Sequence, residues 1–393
     1  ATVSYTATTA DLRVSRSGNS FVTVSLTQNQ QAVSSGIDAI EAIDPTNTLV
    51  TAITPLNAAQ ARDAFDELHG DTLQAPARSA SRAGLQFTRA LSQRSSRLGL
   101  ASRGEGQSET RGATSVVEGV WVEAVQIESE GKADNQVGSA AYTHEGQVMT
   151  LGLDGYWSDD VIVGFALGQS ESDLAFTGRT AKGSTTGVFA GAYTRFETRS
   201  GMHFKLAASL AQNEADMTRT IGITNETARG TVKTSSANFV LEAGFGLHVG
   251  NFGLRPFALA GLQLLERESV RESGAVLGGL VTEAEDNMLG EVGLGLELSR
   301  PWLTRGNRWA QVSGSVAIMQ PVGETQFTQN TRFNGTTPTF TVADTPDEGT
   351  TLAISVGGEV YLSRGFALWG GYDGRISSAS DDHGLQLSLR YRW

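Results

Sequence analysis

The chain has 393 residues, no cysteine and a formal net charge of −12. The negative charge argues against general nucleic-acid binding, and the lack of cysteine excludes disulfides, thiolate metal sites and cysteine nucleophiles. No run of about 18 apolar residues is present, which excludes a transmembrane helix. Barrel strands are the remaining way to cross a bilayer, because lipid cannot satisfy open backbone groups.

The first 26 residues have a strand-like pattern. Leu12, Val14 and Arg16 precede a turn at 17–19, and the segment 21–24 follows as a further short strand. Two or three short strands cannot bury much by themselves, so we expect them to be the edge of a β-rich region. The start of the chain lacks the basic and apolar segments of a signal peptide. If the protein is exported, we expect Ala1 to be an internal point of a longer precursor.

Two amphipathic helices are predicted next, over 27–43 and 57–68. Thr27 and Asn57 are N-cap residues, each with a glutamine three positions later. Apolar side chains recur on one face of each helix, and Gly70 ends the second. We expect these helices to pack against each other and their neighbours.

Residues 75–103 carry six arginines and no acidic residue or lysine; the arginines are Arg78, Arg82, Arg89, Arg94, Arg97 and Arg103. A helix that is polar nearly all round either bridges solvent or pairs with charges from elsewhere. Two interpretations stay open, a solvated linker and a helix inside a polar lumen. Residues 99–114 are rich in Gly, Ser, Arg and Glu and are expected to be a flexible connection.

From residue 116 to the end, segments of alternating apolar and polar residues follow one another. In the last segment Leu385, Leu387, Leu389, Tyr391 and Trp393 alternate with Gln386, Ser388, Arg390 and Arg392. Successive strand residues face opposite sides, and about twelve such segments predict a transmembrane barrel, since an even strand number is typical. Short connections near 158–160, 198–201, 250–253, 304–307 and 363–365 alternate with long ones near 129–143, 174–183, 218–231, 267–285 and 325–348.

That alternation matches periplasmic turns and extracellular loops, and aromatic residues beside the short turns fit an interfacial girdle. They are Trp157, Phe252, Trp302, Trp309 and Phe366. The faces of the strands near 116–128 and 252–266 are the least regular. The predicted fold is therefore an all-β transmembrane barrel of about twelve antiparallel strands, with a lumenal helix and a small N-terminal α/β segment.

No catalytic pattern emerges. There is no Gly-x-Ser-x-Gly elbow, and the phosphate-loop letters of 178–184 stand in the wrong order. The five histidines are far apart, with no metal-binding pair. The run 381–383, Asp-Asp-His, is interpreted as a solvated loop tip, with an outer-membrane protease as the alternative. We expect no enzyme activity, no cofactor and no metal.

The order of these parts resembles the C-terminal unit of type V secretion autotransporters. The similar motifs are LTQNQQAV at 26–33, ARDAFDELHG at 61–70, the arginine-rich helix and the final LRYRW at 389–393. The resemblance implies a twelve-stranded barrel in the Gram-negative outer membrane, whose lumenal helix connects to a passenger at the cell surface. Members usually end in Phe, and Trp393 keeps an aromatic end.

The resemblance also implies partners: outer-membrane lipid, the barrel assembly machinery with periplasmic chaperones, and the protein's own passenger. Leu387, Leu389, Tyr391 and Trp393 resemble the signal that the assembly machinery recognises. The implied division is 1–26 as the C-terminal edge of the passenger, 27–74 as a helical junction, 75–114 as the lumenal helix and linker, and 115–393 as the barrel translocator. Some members cut their own linker at an Asn, and segment 75–103 contains none.

A helix rises about 1.5 Å per residue, so the roughly twenty residues from Arg78 to Arg97 can span a hydrocarbon layer of about 30 Å. Guanidinium groups favour carboxylate partners. The expected lumenal partners of Arg78, Arg82, Arg89, Arg94 and Arg97 are Glu123, Asp154, Glu197, Glu242, Glu297, Glu359 and Asp373. The alternative is that these carboxylates are ordinary solvated positions. The alternative function is a plugged outer-membrane channel or a surface adhesin without a large passenger, and an outer-membrane hydrolase is the third.

Overall fold

The computed structural model describes residues 2–13, 20–104, 119–304, 306, 308–363 and 365–393. Its helical elements are the 3₁₀ helix Phe21–Val24, α1 (Gln28–Ile43), α2 (Thr48–Ile53), α3 (Ala58–Leu68), the 3₁₀ helix Asp71–Leu73 and α4 (Ala75–Gly104). Its strands are β1 (Thr2–Tyr5), β2 (Ala10–Arg13), β3 (Gly119–Gly131), β4 (Tyr142–Ser158), β5 (Val161–Phe176), β6 (Ala181–Glu197), β7 (Met202–Ile221), β8 (Glu226–Phe245), β9 (Leu247–Val249), β10 (Phe252–Arg267), β11 (Val270–Arg271), β12 (Leu280–Thr282), β13 (Glu285–Leu303), β14 (Trp309–Gly323), β15 (Thr328–Phe333), β16 (Phe340–Ala343), β17 (Thr351–Tyr361), β18 (Phe366–Ile376) and β19 (Ser380–Arg392).

A closed antiparallel barrel dominates the described chain. Its twelve strands, in order around the wall, are β3, β4, β5, β6, β7, β8, β10, β13, β14, β17, β18 and β19. The last strand closes on the first, with Leu387 opposite Ala124, and β10 pairs with β13. Closure leaves no open barrel edge, and the predicted fold is confirmed.

The outer face of the wall is apolar over a continuous band. Leu151, Leu206, Leu294 and Leu387 point outward and are 57%, 46%, 71% and 57% exposed. Polar residues next to them in the strands face inward and are buried, for example Thr150 and Ser388. An exposed apolar exterior around a polar interior is the pattern that lipid requires of a barrel.

The two ends of the barrel differ. At the terminal end, where β3 begins and β19 ends, the connections are short and exposed aromatic residues cluster; these include Trp157, Phe196, Phe252, Trp302, Phe366 and Trp393. The opposite end is called the cap end. Two long loops predicted there are wrong, because β5–β6 and β7–β8 turn only at 177–180 and 222–225. The strands continue past the apolar band, and β7 and β8 reach 20 residues each.

The two remaining long connections that carry strands, 268–284 and 324–350, form structure of their own. β11, β12, β15 and β16 pair into a four-stranded antiparallel sheet at the cap end. Phe333 and Val342 of this sheet are completely buried. The sheet offers an apolar surface beyond the barrel wall.

Residues 20–74, called the cap, pack on this surface. Val33 and Ile37 of α1 and Phe65 of α3 are fully buried in one core with Phe333 and Val342. The predicted helix N-cap residues are confirmed, since Thr27 accepts a hydrogen bond from the Gln30 backbone and Asn57 forms a capping box with Gln60. Inward-facing barrel residues complete the same core; they include Met217, Ile221 and Val232.

Two predictions for the N-terminal part need correction. Segment 21–24 is a 3₁₀ helix rather than a strand, because the Phe21 ring packs edge-on against Phe65, with centroids 6.5 Å apart. The short helix α2 was not predicted. β1 and β2 form an antiparallel hairpin, and the predicted turn at 17–19 lies outside the described residues.

We predict that Gly70→Ala destabilises the cap more than Gly335→Ala does. Both glycines have positive φ, 73° and 75°, so each alanine costs about 1 kcal/mol or more in backbone conformation. Only at Gly70 would the added Cβ also collide with a buried side chain, Leu280, whereas Gly335 faces open space. Thermal unfolding followed by circular dichroism at the helix band measures both variants. Equal losses would contradict the packing described for Gly70.

The barrel lumen as the candidate functional site

Helix α4 lies in the lumen, with its first turn at the cap and its far end toward the terminal end. Of the described helices, none combines the length and the apolar character needed to cross a membrane. Six Ala, six Arg and four Leu among the 30 residues of α4 favour a helix, and Pro76 falls in the first turn, where proline is tolerated. The linker interpretation for 75–96 is therefore wrong.

One face of α4 packs against β5–β8 of the wall. Phe87 stacks on Phe189 with centroids 5.1 Å apart, and Leu91 is buried against the same cluster. Gly191 allows this approach, since a Cβ there would meet Leu91 and Phe87. The few apolar residues of α4 thus set which wall it contacts.

Neutral polar side chains continue this contact along the helix. The hydroxyls of Thr88 and Ser209 are 2.7 Å apart and share a hydrogen bond. Gln263 donates from Nε2 to the Ser81 carbonyl at 3.0 Å, and its other contacts are with Ser81 Oγ and Asn238. These groups are buried, so their mutual pairing avoids the cost of unsatisfied polar atoms.

Near the cap, two arginines of α4 meet carboxylates of the wall connections and strands. Arg78 lies 2.7 Å from Asp344 and stacks over the Phe327 ring at 3.9 Å. Arg82 lies 3.9 Å from Asp382 of β19. Both arginines are mostly buried, and the charges therefore act in a poorly screened environment.

In the middle of the lumen, Arg89 forms an ion pair with Glu291 of β13. Its Nε donates to Glu291 Oε1 at 3.1 Å, and the other carboxylate oxygen accepts from Arg375 of β18 at 3.0 Å. One turn further along α4, Gln93 donates to Asp373 at 3.2 Å. These contacts cross the lumen from α4 to the opposite wall.

Toward the terminal end, Arg94 and Asp154 form the most buried pair, at 2.9 Å with side chains 2% and 3% exposed. The Tyr193 hydroxyl donates to the same carboxylate at 2.9 Å, and Arg94 lies over the Trp121 ring at 5.0 Å. Arg195 of β6 donates to the Ser95 and Ser96 carbonyls at 3.3 Å. These contacts hold the helix from Arg78 to Ser96.

The expected acidic partners lie as follows. Asp154 binds Arg94, and Asp373 binds α4 through Gln93. Four others have basic partners on the wall itself: Glu197 with Arg195 at 2.5 Å, Glu242 with Lys205 at 2.6 Å, Glu297 with Arg255 at 3.6 Å and Glu359 with Arg390 at 3.4 Å. Glu123 is buried on the lumen side of β3. The side chain of Arg97 lies outside the described residues. The flexible connection predicted for 99–114 is wrong for 99–104, because α4 continues to Gly104, and residues 105–118 lie outside the described residues.

Three partners of the helix were missed, Glu291, Asp344 and Asp382. Glu291 stands on the polar face of its strand, a signal that could have found it, whereas Asp344 comes from a connection that folds back over the lumen. The loop-tip interpretation of 381–383 is wrong, because β19 begins at Ser380. Asp382 faces Arg82 and His383 shares a hydrogen bond with Tyr372 at 2.7 Å. Among the described residues no group of three or more His, Asp or Glu is arranged to hold a metal.

The other half of the lumen, beside β13, β14 and β17–β19, is open. Two cavities of about 160 and 130 Å³ lie there, and both are lined by Gln86, Arg89, Met319, Asp373 and Arg375. Helix α4 therefore sits off the barrel axis. The Arg89–Glu291–Arg375 cluster lies at the boundary of the two cavities.

A second charged cluster fixes the turn between α3 and α4 at the cap end. Arg179, from the β5–β6 turn, lies 3.5 Å from Asp66 and 3.7 Å from Asp71. The fully buried His69 accepts a hydrogen bond from the Asp71 backbone at its Nδ1 and has Nε2 3.6 Å from Asp66. Burial raises the pKa of Asp66, but hydrogen bonds from His69 and Gln30 and the charge of Arg179 outweigh it, so the pKa is below its usual range.

An antiparallel barrel with an apolar outer band and a helix along its lumen defines the chain as a transmembrane β-barrel with a lumenal helix. A family model described as the autotransporter beta-domain matches residues 120–373, more than half of the chain. The chain belongs to this family, and its barrel is an outer-membrane translocator located in the Gram-negative outer membrane. No curated protein sequence matches it.

Solved structures support the same fold. The translocator domain of autotransporter NalP from Neisseria meningitidis aligns with a TM-score of 0.58 at 18% identity, covering 77% of this chain and 98% of that one. The beta domain of the Bordetella autotransporter BrkA aligns with a TM-score of 0.54 at 17% identity, covering 70% and 100%. At these identities the likeness concerns the fold.

We predict that Asp154→Asn costs about 3–5 kcal/mol of stability, because it leaves the buried Arg94 without its counter-charge. The matched control is Glu214→Gln, which breaks the ion pair of Glu214 with Lys233. The Glu214 and Lys233 side chains are 52% and 51% exposed. The control should cost less than about 1 kcal/mol. The temperature at which the folded band converts to the unfolded band in semi-native electrophoresis measures both. Similar shifts for the two variants would contradict the role given to Arg94 and Asp154.

The cap should loosen in acid. Because the pKa of Asp66 is lowered by folding, its carboxylate stabilises the cap fully above about pH 4 and this stabilisation is lost as pH falls through the lower folded-state pKa. The melting temperature of the wild-type cap should fall between about pH 6 and about pH 3, and Asp66→Asn should make this fall smaller. Asp63→Asn, an exposed position on the same helix, should leave the pH dependence unchanged. An identical profile for all three proteins would rule out this contribution.

Proposed function

We propose that the barrel supports export of its own N-terminal segment across the outer membrane and then anchors it. The observation that carries the proposal is the path of α4. The barrel begins and ends at the terminal end, yet residues 20–74, which precede α4, lie at the cap end. This connectivity takes the chain through the lumen once, which supports export of the segment before α4.

The orientation in the membrane is part of the proposal. We assign the terminal end to the periplasm and the cap end to the cell exterior. Short turns and an aromatic girdle at the terminal end support this, since bacterial barrels have short periplasmic turns and larger extracellular parts. The N-terminal part of the chain then lies at the cell surface.

The domain division follows from the same reasoning. Residues 1–26 are proposed as the C-terminal edge of a passenger, supported by the β1–β2 hairpin, in which Ser4, Tyr5 and Ala10 are exposed. Residues 27–74 are the helical junction, residues 75–114 the lumenal helix and linker, and residues 115–393 the translocator. The activity of any passenger is separate from that of the barrel.

Assembly is proposed to depend on the last strand and on the barrel assembly machinery with periplasmic chaperones. Leu387, Leu389, Tyr391 and Trp393 are exposed on the outer face, by 57%, 40%, 40% and 63%. Alternate outward side chains that end on an aromatic ring offer a strand-like recognition surface before the barrel closes. This supports their role as the assembly signal.

A second candidate function is a plugged outer-membrane channel. The two cavities beside α4 favour it, because they leave a polar path along the helix. In that case the N-terminal part would serve as the plug, without a large passenger.

The test that separates these functions adds a signal peptide and an epitope tag before Ala1 and treats intact cells with protease. Export predicts loss of the tag while a heat-modifiable barrel remains in the outer membrane. A tag that is protected in intact cells and cut only after the outer membrane is permeabilised would overturn the export proposal in favour of the channel.

We predict that replacing Arg82, Arg89 and Arg94 together by Gln raises the conductance of the barrel in planar bilayers. The reason is that these ion pairs hold α4 across the lumen. The matched control replaces three exposed arginines outside the lumen, Arg199, Arg229 and Arg271, which should leave conductance at the wild-type level. Unchanged conductance in the lumenal variant would count against the ion pairs as the hold on the helix.

A further inference from the structure

The cap is held by most of the cap-end connections of the barrel. Five of the six contact it, namely 132–141, 177–180, 222–225, 268–284 and 324–350. In the first of these, Gln136 accepts from the Gln28 backbone at 3.0 Å, and in the third Gly222 donates to Glu67 at 2.7 Å. In the second connection, Arg179 lies 3.5 Å from Asp66 of the cap. The cap therefore lies centrally over the cap-end opening of the lumen, called the mouth, and not at one side of it.

The remaining two connections add the deepest contacts. Asn29 donates from Nδ2 to the Ala343 carbonyl at 2.8 Å and accepts from the Ala343 backbone at 2.9 Å. Leu280 is completely buried against the cap beside Gly70. Every one of these groups would be open to water if the cap left.

The core beneath the cap is shared by three parts of the chain. Ile37 and Phe65 of the cap are fully buried together with Phe333 of the four-stranded sheet β11–β12–β15–β16, called the loop sheet, and Ile221 of the wall. Burying large apolar side chains away from water is a main source of folding stability. Neither the cap nor the connections at the mouth can bury this surface alone, so the shared core forms only when the two are in contact.

The open half of the lumen ends beneath this assembly. The cavity nearer the cap is lined by Arg78 and by Thr325 and Asp347 of the 324–350 connection. The same connection supplies Asp344 and Phe327, which bind Arg78, and Ala343, which binds Asn29 of the cap. The layer that closes the lumen above the cavities is thus tied to the cap.

We propose that residues 20–74 are an extracellular stopper: they dock on the outer mouth after export and close the half of the lumen that α4 leaves open. The partner of the mouth surface is this segment of the chain itself. The proposal rests on the proposed function for its timing and orientation. Helix α4 fills one half of the pore, and the cap seals the other half.

The experiment compares Ile37→Asp with Ile43→Asp in planar bilayers at neutral pH. Ile37 is completely buried in the shared core, whereas Ile43, on the same helix, is 69% exposed. The buried carboxylate should expel the cap, and the conductance should rise several-fold, while Ile43→Asp keeps the wild-type value. Ile37→Ala, a milder change, should give intermittent openings. Heat-modifiability selects folded barrels in each preparation.

Folded Ile37→Asp barrels with wild-type conductance, together with no openings in Ile37→Ala, would overturn the stopper. An equal rise in the Ile43→Asp control would overturn it as well, since that change leaves the core intact. Failure of export is read separately, from the tag in intact cells, because conductance of purified barrels does not depend on how the cap reached its side of the membrane.

Discussion

The buried guanidinium groups of α4 constrain the whole structure. A charged group taken out of water costs several kcal/mol unless it is paired and hydrogen-bonded, and α4 has no acidic residue of its own. Its counter-charges come from distant parts of the chain: Asp154 of β4, Glu291 of β13, Asp344 after β16 and Asp382 of β19. The helix is therefore satisfied only inside this barrel, in this register.

Packing decides where in the lumen the helix lies. Phe87, Leu91 and Thr88 hold it to β5–β8, where small residues such as Gly191 and Ser209 leave room. On the other side long polar side chains such as Arg89 and Gln93 bridge to the wall, and cavities remain. The lumen is thus divided into a packed half and a polar half, and the division gives the cap its proposed task.

Much of the fold could be predicted from the sequence, because strand alternation and helix periodicity are local. The strands of the barrel and the helices at 28–43 and 58–68 follow from such patterns, whereas the placement of α4 in a polar lumen was one of two interpretations that its sequence left open. The site was predicted only in part. Alternation identifies which carboxylates face the lumen, but most of those expected to bind α4 pair instead with basic wall residues such as Lys205 and Arg390.

What could not be predicted depends on contacts between distant residues. Asp344 reaches Arg78 because a long connection folds back over the mouth, and the strands in that connection exist only as part of the loop sheet. The 3₁₀ helix at Phe21 is set by its contact with Phe65. Periodicity within one segment carries no signal for such pairings.

The most direct measurement of the central claim uses the absence of cysteine in the chain. Thr88→Cys on α4 and Ser209→Cys on β7 replace hydroxyls that are 2.7 Å apart, so a disulfide should form in outer-membrane fractions under mild oxidation. Thr88→Cys paired with Ser388→Cys, on β19 across the lumen, is the control that should stay reduced. A disulfide in the first pair alone is the result expected for a helix held against β7. No disulfide in that pair, or an equal yield in the control, would contradict it.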